Sequence, residues 1–246
     1  MSNDQSGIHG HVSWVLTDEN GVVKAHGETD NLVTDVGDQY YAARAAQIQG
    51  SALTITAIAT GTTAVVTTSA AHGLSVGDAV TIAGVTPSGY NGKWAVTAVG
   101  SSTTFSIYVG TALGAGTAFG TATGLSVSLA SGMKLGQGST AVAKSGAGAA
   151  LVTYLSGSQQ AFDATYPTAV DTAGSGSKVT YKVTYAAGTA TTASAITEAV
   201  IVNENILANA TTAAANTISR VLLTGIGSKG ASDTLTVTWS HTLLGA

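Results

Sequence analysis

The 246-residue chain has no cysteine, few charges and no long apolar run. Lack of cysteine removes disulfides and thiolate metal sites. Charged residues make up 9% of the chain, against about a quarter of an average soluble domain. Membrane-spanning and low-complexity chains share this paucity, yet no apolar stretch approaches the ~18 residues a spanning helix needs, so no membrane association is expected. The N-terminal Met1-Ser2-Asn3-Asp4-Gln5 has neither the basic nor the apolar segment of a secretory leader, and export is not expected. Basic residues are outnumbered, nine Lys and Arg against thirteen Asp and Glu for a net charge of −4. A nucleic-acid surface therefore has little electrostatic support.

What is present is alternation. In Asp233–Leu243 the apolar Leu235, Val237, Trp239 and Leu243 fall on one side, and Thr234, Thr236, Thr238, Ser240 and Thr242 on the other. Period two with β-branched residues predicts an antiparallel strand with one face on a core. Residues 8–28 predict a hairpin, with Ile8, Val12, Trp14 and Leu16 on one face and a turn at Asp18–Gly21. A helix should follow, capped by Thr34 or Asp35, with Val36, Tyr40, Ala43 and Gln47 at helical spacing and Gly50 as its end. Further strands are expected at 178–185, 195–203, 217–224 and 233–243. Residues 133–167 predict a short strand, a Gly/Ala-rich loop and a helix at 147–156; Gly174–Ser177 and Asn209–Thr212 look like loops, and Asn205–Ala208 like one helical turn. The fold class is mainly β, an antiparallel sandwich-like domain with one helix.

Between residues 53 and 123 the text changes. Two formal charges, Asp78 and Lys93, stand among short Thr/Val/Ile runs separated by Gly, Ser and Asn. Six strands, near 53–59, 63–68, 78–83, 93–99, 104–109 and 118–124, would make a small barrel or sandwich. We read this segment as a β module inserted into a discontinuous outer domain of residues 1–52 and 124–246, whose two halves must bring the ends of the insert close together.

Three phrases carry a resemblance. "GHVSWVLTDENGVVKAHGETDNLVTDVGDQYYAARAA" at 10–46, "ITEAVIVNENILA" at 196–208 and "ISRVLLTGIGSKGASDTLTVTWSHTLL" at 218–244 are similar, in that order, to phrases of a widespread group of tailed-bacteriophage virion structural proteins. The group spans head decoration, neck and tail appendage proteins. Its usual "ALGTGTTAP" phrase is represented only by "MKLGQGSTAVA" at 133–143, and "TTSAAHGLSVGDAVTIAGVTPSGYNGKWAVTAVGSSTTFSI" at 67–107 resembles a small β module of phage structural proteins. The resemblance implies a non-enzymatic virion protein without cofactor or metal, assembled in the host cytoplasm. Its expected partners are the major capsid protein or other virion proteins and further copies of itself. An external head decoration or cement protein is the leading expectation; a neck, collar, tail-fibre or baseplate appendage that could touch host glycan is the alternative.

His9 and His11 lie two apart on one strand face and could share a metal if His26 or His241 joined them, but a solvated or interface face is the simpler reading. His72, in "AHGLSVGD", reads as a loop residue bonded to the backbone. Gly136-Gln137-Gly138-Ser139-Thr140-Ala141 matches a loose dinucleotide pattern without the parallel βαβ unit that pattern needs, so its glycines are assigned to a turn. The carboxylates Asp18, Glu19, Asp30, Asp35, Asp38, Asp163, Asp171, Glu198, Glu204 and Asp233 fall mostly near turns, strand ends or the helix cap. An acid and nucleophile pair for glycan cleavage would need two of them to converge. Trp14, Trp94 and Trp239 are expected to anchor core or interface rather than to stack on sugars. No catalytic, cofactor or metal residue is assigned.

Overall fold

The structure is a computed structural model and describes residues 8–46, 49–125, 129–172, 176–204 and 206–243. In chain order its elements are β1 (Ile8–Thr17), β2 (Val23–Val33), α1 (Asp35–Ala45), β3 (Leu53–Ile58), β4 (Gly61–Thr68), β5 (Ala79–Ala83), β6 (Gly92–Ser101), β7 (Thr104–Leu113) and β8 (Thr121–Thr123), followed by β9 (Gly132–Gly136), β10 (Gln160–Ala161), β11 (Thr168–Thr172), β12 (Gly176–Tyr185), β13 (Glu198–Val202), β14 (Thr217–Leu222) and β15 (Thr234–Leu243). The chain is mainly β and divides into two compact units, Met1–Gln39 with Ala130–Ala246, and Tyr40–Leu129.

The first unit is a nine-stranded antiparallel sheet in the order β10-β9-β13-β14-β2-β1-β15-β12-β11. Alternation decides which residues it buries. Val12, Trp14 and Leu16 of β1, Leu235, Val237 and Trp239 of β15, and Tyr181, Val183 and Tyr185 of β12 are all buried on one face. The Trp14 indole lies over Gly27 of β2, its cross-strand partner, where a Cβ would overlap the ring. β2 meets β14 at only two residues, Leu32↔Arg220 and Val33↔Ser219, and the sheet as a whole is curled.

β9, β13 and β14 show no alternation in burial, because both of their faces are covered. By alternation Met133, Leu135, Ala199 and Ile201 share one face. Val200 and Val202 on the opposite face pack with Leu151, Tyr154 and Ile206, which belong to the connecting segments. Strands covered on both sides read as continuous apolar runs, as in "AVIV".

The second unit contains a closed six-stranded barrel, β3-β4-β7-β6-β5-β8. Its interior is filled by Ile55, Val66, Val80, Ile82, Tyr90, Val96, Phe105 and Ile107, among others, so it is a packed core rather than a pore. Tyr90 donates its hydroxyl to the Gly114 carbonyl at 2.9 Å, which satisfies the one polar atom this ring carries inward. β3 pairs with β8 through Leu53↔Ala122, and Gln49 bridges Leu125 just outside, so the two ends of the barrel segment leave side by side.

Two expectations need correction. No helix forms at 147–156: a single 3-10 turn at Gly146–Gly148 gives way to an irregular chain. The backbone N–H groups of Val152 and Thr153 donate to the Glu198 carboxylate instead of to carbonyls within a helix. α1 is capped by Thr34, whose Oγ accepts from Gly37 N at 3.1 Å, but stops at Ala45, well before Gly50. Gln47, Gly174, Ser175 and Asn205, which figured in the expected helix, loop and helical turn, lie outside the described residues; Gly176 and Ser177 begin β12, and Ile206 and Leu207 form a turn.

Candidate functional site

An open cleft of about 880 Å³ lies over the start of β1 and the end of β2, lined by His9, His11, Asp30, Asp38 and Lys144 among others. β1 and β2 hold His11 directly opposite Asp30. His11 Nδ1 lies 3.3 Å from Asp30 Oδ1, and Nε2 lies 3.5 Å from Glu28 Oε2. The carboxylates flank the imidazole from its two nitrogens rather than converging on a point that a cation could occupy. Across the cleft Lys144 donates to Asp38 at 2.5 Å, and the Lys144 carbonyl accepts from Asp35 N at 2.9 Å, which holds this lysine at the start of α1. Chemically the cleft is a solvated surface with one ion pair, Lys144 with Asp38, and an imidazole held between two carboxylates.

The four histidines of the expected cluster do not come together. His26 is paired with Val15 and stands four residues along β2 from Asp30, about 13 Å at strand rise. His241 faces the other side of the sheet, fully buried, its ring edge-on to Tyr181 at 5.6 Å and to Trp239 at 6.4 Å. Burial pushes its pKa down to about 3, so the imidazole is neutral. Its place could have been read from the alternation, since it continues the series Leu235, Val237, Trp239. Among the described residues no group of three or more His, Asp or Glu is arranged to hold a metal ion. His72 accepts from Leu74 N at Nδ1 (2.9 Å) and so donates from Nε2 to the Ser101 carbonyl (3.0 Å), a loop fastening in the barrel.

No family, curated protein or solved structure matches this chain.

The strongest electrostatic feature is one that sequence reasoning passed over. Glu198 and Arg220 are both fully buried, on paired strands β13 and β14. Arg220 donates to Glu198 Oε2 from Nη2 at 2.7 Å and from Nε at 3.1 Å. Its Nη1 donates to the carbonyls of Thr140 (2.9 Å) and Gly148 (3.0 Å). Glu198 also accepts from Gly138 N at 2.9 Å and Thr153 N at 2.8 Å. This pair therefore clasps the 138–153 segment onto the sheet. Gly136 and Gly138, the glycines of the loose dinucleotide pattern, sit against Glu198, and a Cβ at either would collide with its carboxylate.

Other charges do similar work. Lys134, fully buried, donates to Glu204 Oε1 at 2.7 Å and to the Ala210 carbonyl at 2.8 Å. Lys229, also buried, donates to the carbonyls of Ala186 and Asp233, and burial lowers its pKa. A hydrogen bond from Lys24 holds the Asp233 carboxyl below the usual range. Asp163 accepts from Thr184 N and Oγ1, and Asp18 from two backbone N–H groups of its turn. Glu198 begins β13 and Glu204 lies two residues past its other end, each held by its own partners, so they do not form the convergent pair that glycan cleavage would need. Trp14 and Trp239 are buried as expected, and Trp94 packs on the barrel core with Nε1 donating to the Tyr90 carbonyl at 2.7 Å.

Proposed function

We propose that the chain is a non-enzymatic structural protein of a tailed-phage virion, an external head decoration protein present in many copies. The observation that carries the proposal is where the virion-like phrases meet. The opening and closing phrases pair without a break from Ile8↔Leu243 to Thr17↔Thr234, and the "ITEAVIV" and "ISRVLL" phrases pair as neighbouring strands. Phrases scattered along the sequence thus form one sheet, as expected if they descend together as a domain. Residue chemistry supports the same reading, because the buried Lys134, Glu198, Arg220 and Lys229 are tied to structural partners and Lys144 in the cleft is paired with Asp38. Its partners would be the major capsid protein or other virion proteins, and further copies of itself. The outer face of β15, β1 and β12 offers Thr236, Thr238, Ser13, Thr180 and Thr184, with Lys178 and Lys182 alternating between the threonines of β12, a hydroxyl-rich surface whose few charges oppose close packing of identical copies only weakly.

The test is binding of the purified protein to empty capsids, with copy number measured on particles by quantitative mass spectrometry. Hundreds of copies per particle, and binding that changes little between low and high salt, are expected for contacts that are mainly apolar and hydrogen-bonded. Absence of capsid binding, or a steep loss of binding with salt, would refute the proposal.

A further inference from the structure

Strand β11 is exposed on both faces. Thr168, Ala169, Val170 and Asp171 are all exposed, Val170 by 60%. One edge of the strand is taken up by five pairs with β12, from Thr168↔Thr180 to Thr172↔Gly176. It stands last in the sheet order, so no strand among the described residues takes its other edge. A strand held through one edge and packed on neither face has little to stabilise it, and it is a ready template for another chain.

The remaining edges are protected. The barrel is closed, and β10, at the far end of the sheet, is only two residues long. Where β2 extends beyond its short seam with β14, it carries Lys24, Glu28 and Asp30 around Gly27, charges of the kind that blunt an edge. β11 carries Thr-Ala-Val-Asp-Thr, with one charge and no lysine.

We infer that β11 is the strand through which a second copy of this chain pairs, antiparallel across a two-fold axis, so that the sheet continues from one protomer into the next. Only the register centred on Val170 pairs all five residues. It sets Val170 opposite Val170, Ala169 opposite Asp171 and Thr168 opposite Thr172. No like charges then face each other, and the two exposed valines cover one another. Such an isologous contact closes at two copies. Five residue pairs make a small interface, so the dimer is concentration-dependent. This pairing does not rest on the virion reading, which is tested by capsid binding and survives or fails separately.

Sedimentation of the full chain over a concentration series, with Val170→Asp and Val170→Lys, tests the register directly. Val170 pairs with Lys178 in its own sheet, so Val170→Asp gains a favourable neighbour and should fold as the wild type does; circular dichroism melts check both variants. Wild type should dimerise. Each variant alone should weaken the dimer about tenfold or more, because identical charges meet at the axis. An equimolar mixture of the two should restore a dimer containing one of each. The inference is overturned by a monomeric wild type, by variants that dimerise like wild type, or by a mixture that stays monomeric.

Discussion

Removing Arg220 should unfasten the 138–153 segment and destabilise the first unit severely. In Arg220→Met the Glu198 carboxylate keeps its backbone donors but loses both charged ones, while the Thr140 and Gly148 carbonyls lose the Nη1 donor. Breaking a buried pair by deleting one partner costs about 3–5 kcal/mol, since a buried charge is left uncompensated. Glu198→Leu should cost a similar amount, because it leaves Arg220 buried without its counter-ion and orphans the N–H groups of Gly138 and Thr153. The double variant separates two accounts of this pair. An ordinary buried ion pair can often be replaced by apolar residues at little cost. Here the pair also satisfies backbone groups, each costing about 1–3 kcal/mol if left buried and unpaired, so the double variant should still lose about 3 kcal/mol while showing favourable coupling between the sites. Urea unfolding followed by tryptophan fluorescence measures this, in a Trp94→Phe background so that the signal comes from Trp14 and Trp239 of the first unit. Hydrogen exchange should show the 138–153 amides losing protection. Single variants that cost less than about 1 kcal/mol, or a double variant as stable as wild type, would refute the clasp.

His241 should make the first unit acid-sensitive. Its pKa is about 3 when folded and about 6.5 when unfolded. The folded state therefore has its full stability above pH 6.5 and loses it as pH falls toward 3, because only the unfolded chain can take up the proton. Between pH 7 and pH 4.5 the loss should be about 2.5 kcal/mol, and His241→Leu should remove that part of the slope; identical pH profiles for the two proteins would contradict it. Replacing residues 53–123 by a short Gly/Ser linker should leave a cooperative thermal transition in what remains, since Leu53 and Ala122 are paired neighbours and a short bridge can join their flanks. A melt without cooperativity would show that the outer strands depend on the barrel.

Strand positions were legible wherever burial was one-sided. Leu235, Val237 and Trp239 against Thr234, Thr236 and Thr238 announce a strand and its core face, and the barrel's six short runs announce themselves through Gly, Ser and Asn between β-branched residues. Legibility failed where a partner distant in sequence decided the outcome. Residues 147–156 have the alanine and leucine of a helix, but the N–H groups of Val152 and Thr153 are taken by Glu198, about 45 positions away, and those of Leu151 and Leu155 by the carbonyls of Thr212 and Leu135. Nothing local in that segment shows this. A signal did exist in the strands themselves, since Glu198 and Arg220 interrupt runs that otherwise bury every residue, and a charge in such a position must find another. His241 is obscured for the opposite reason. Its residue type suggests a metal ligand or a solvated face, while its parity places it beside Trp239 in the core.

The scarcity of charge also acquires a physical meaning once the partners are known. Of nine Lys and Arg, six are paired with carboxylates, Lys24, Arg44, Lys134, Lys144, Lys182 and Arg220, and Lys229 is buried on backbone carbonyls. The cations of this chain serve mainly to hold irregular segments against its sheets. Little unpaired charge is then left to give the surface its character, and that role passes to threonine, serine and small residues. Such a surface has weak long-range fields, so it neither steers charged ligands nor repels a second copy, and its contacts depend on shape, hydroxyl hydrogen bonds and modest apolar patches. For the edge-to-edge contact with identical neighbours that we propose, a hydroxyl-rich surface with little unpaired charge is the arrangement that physics favours.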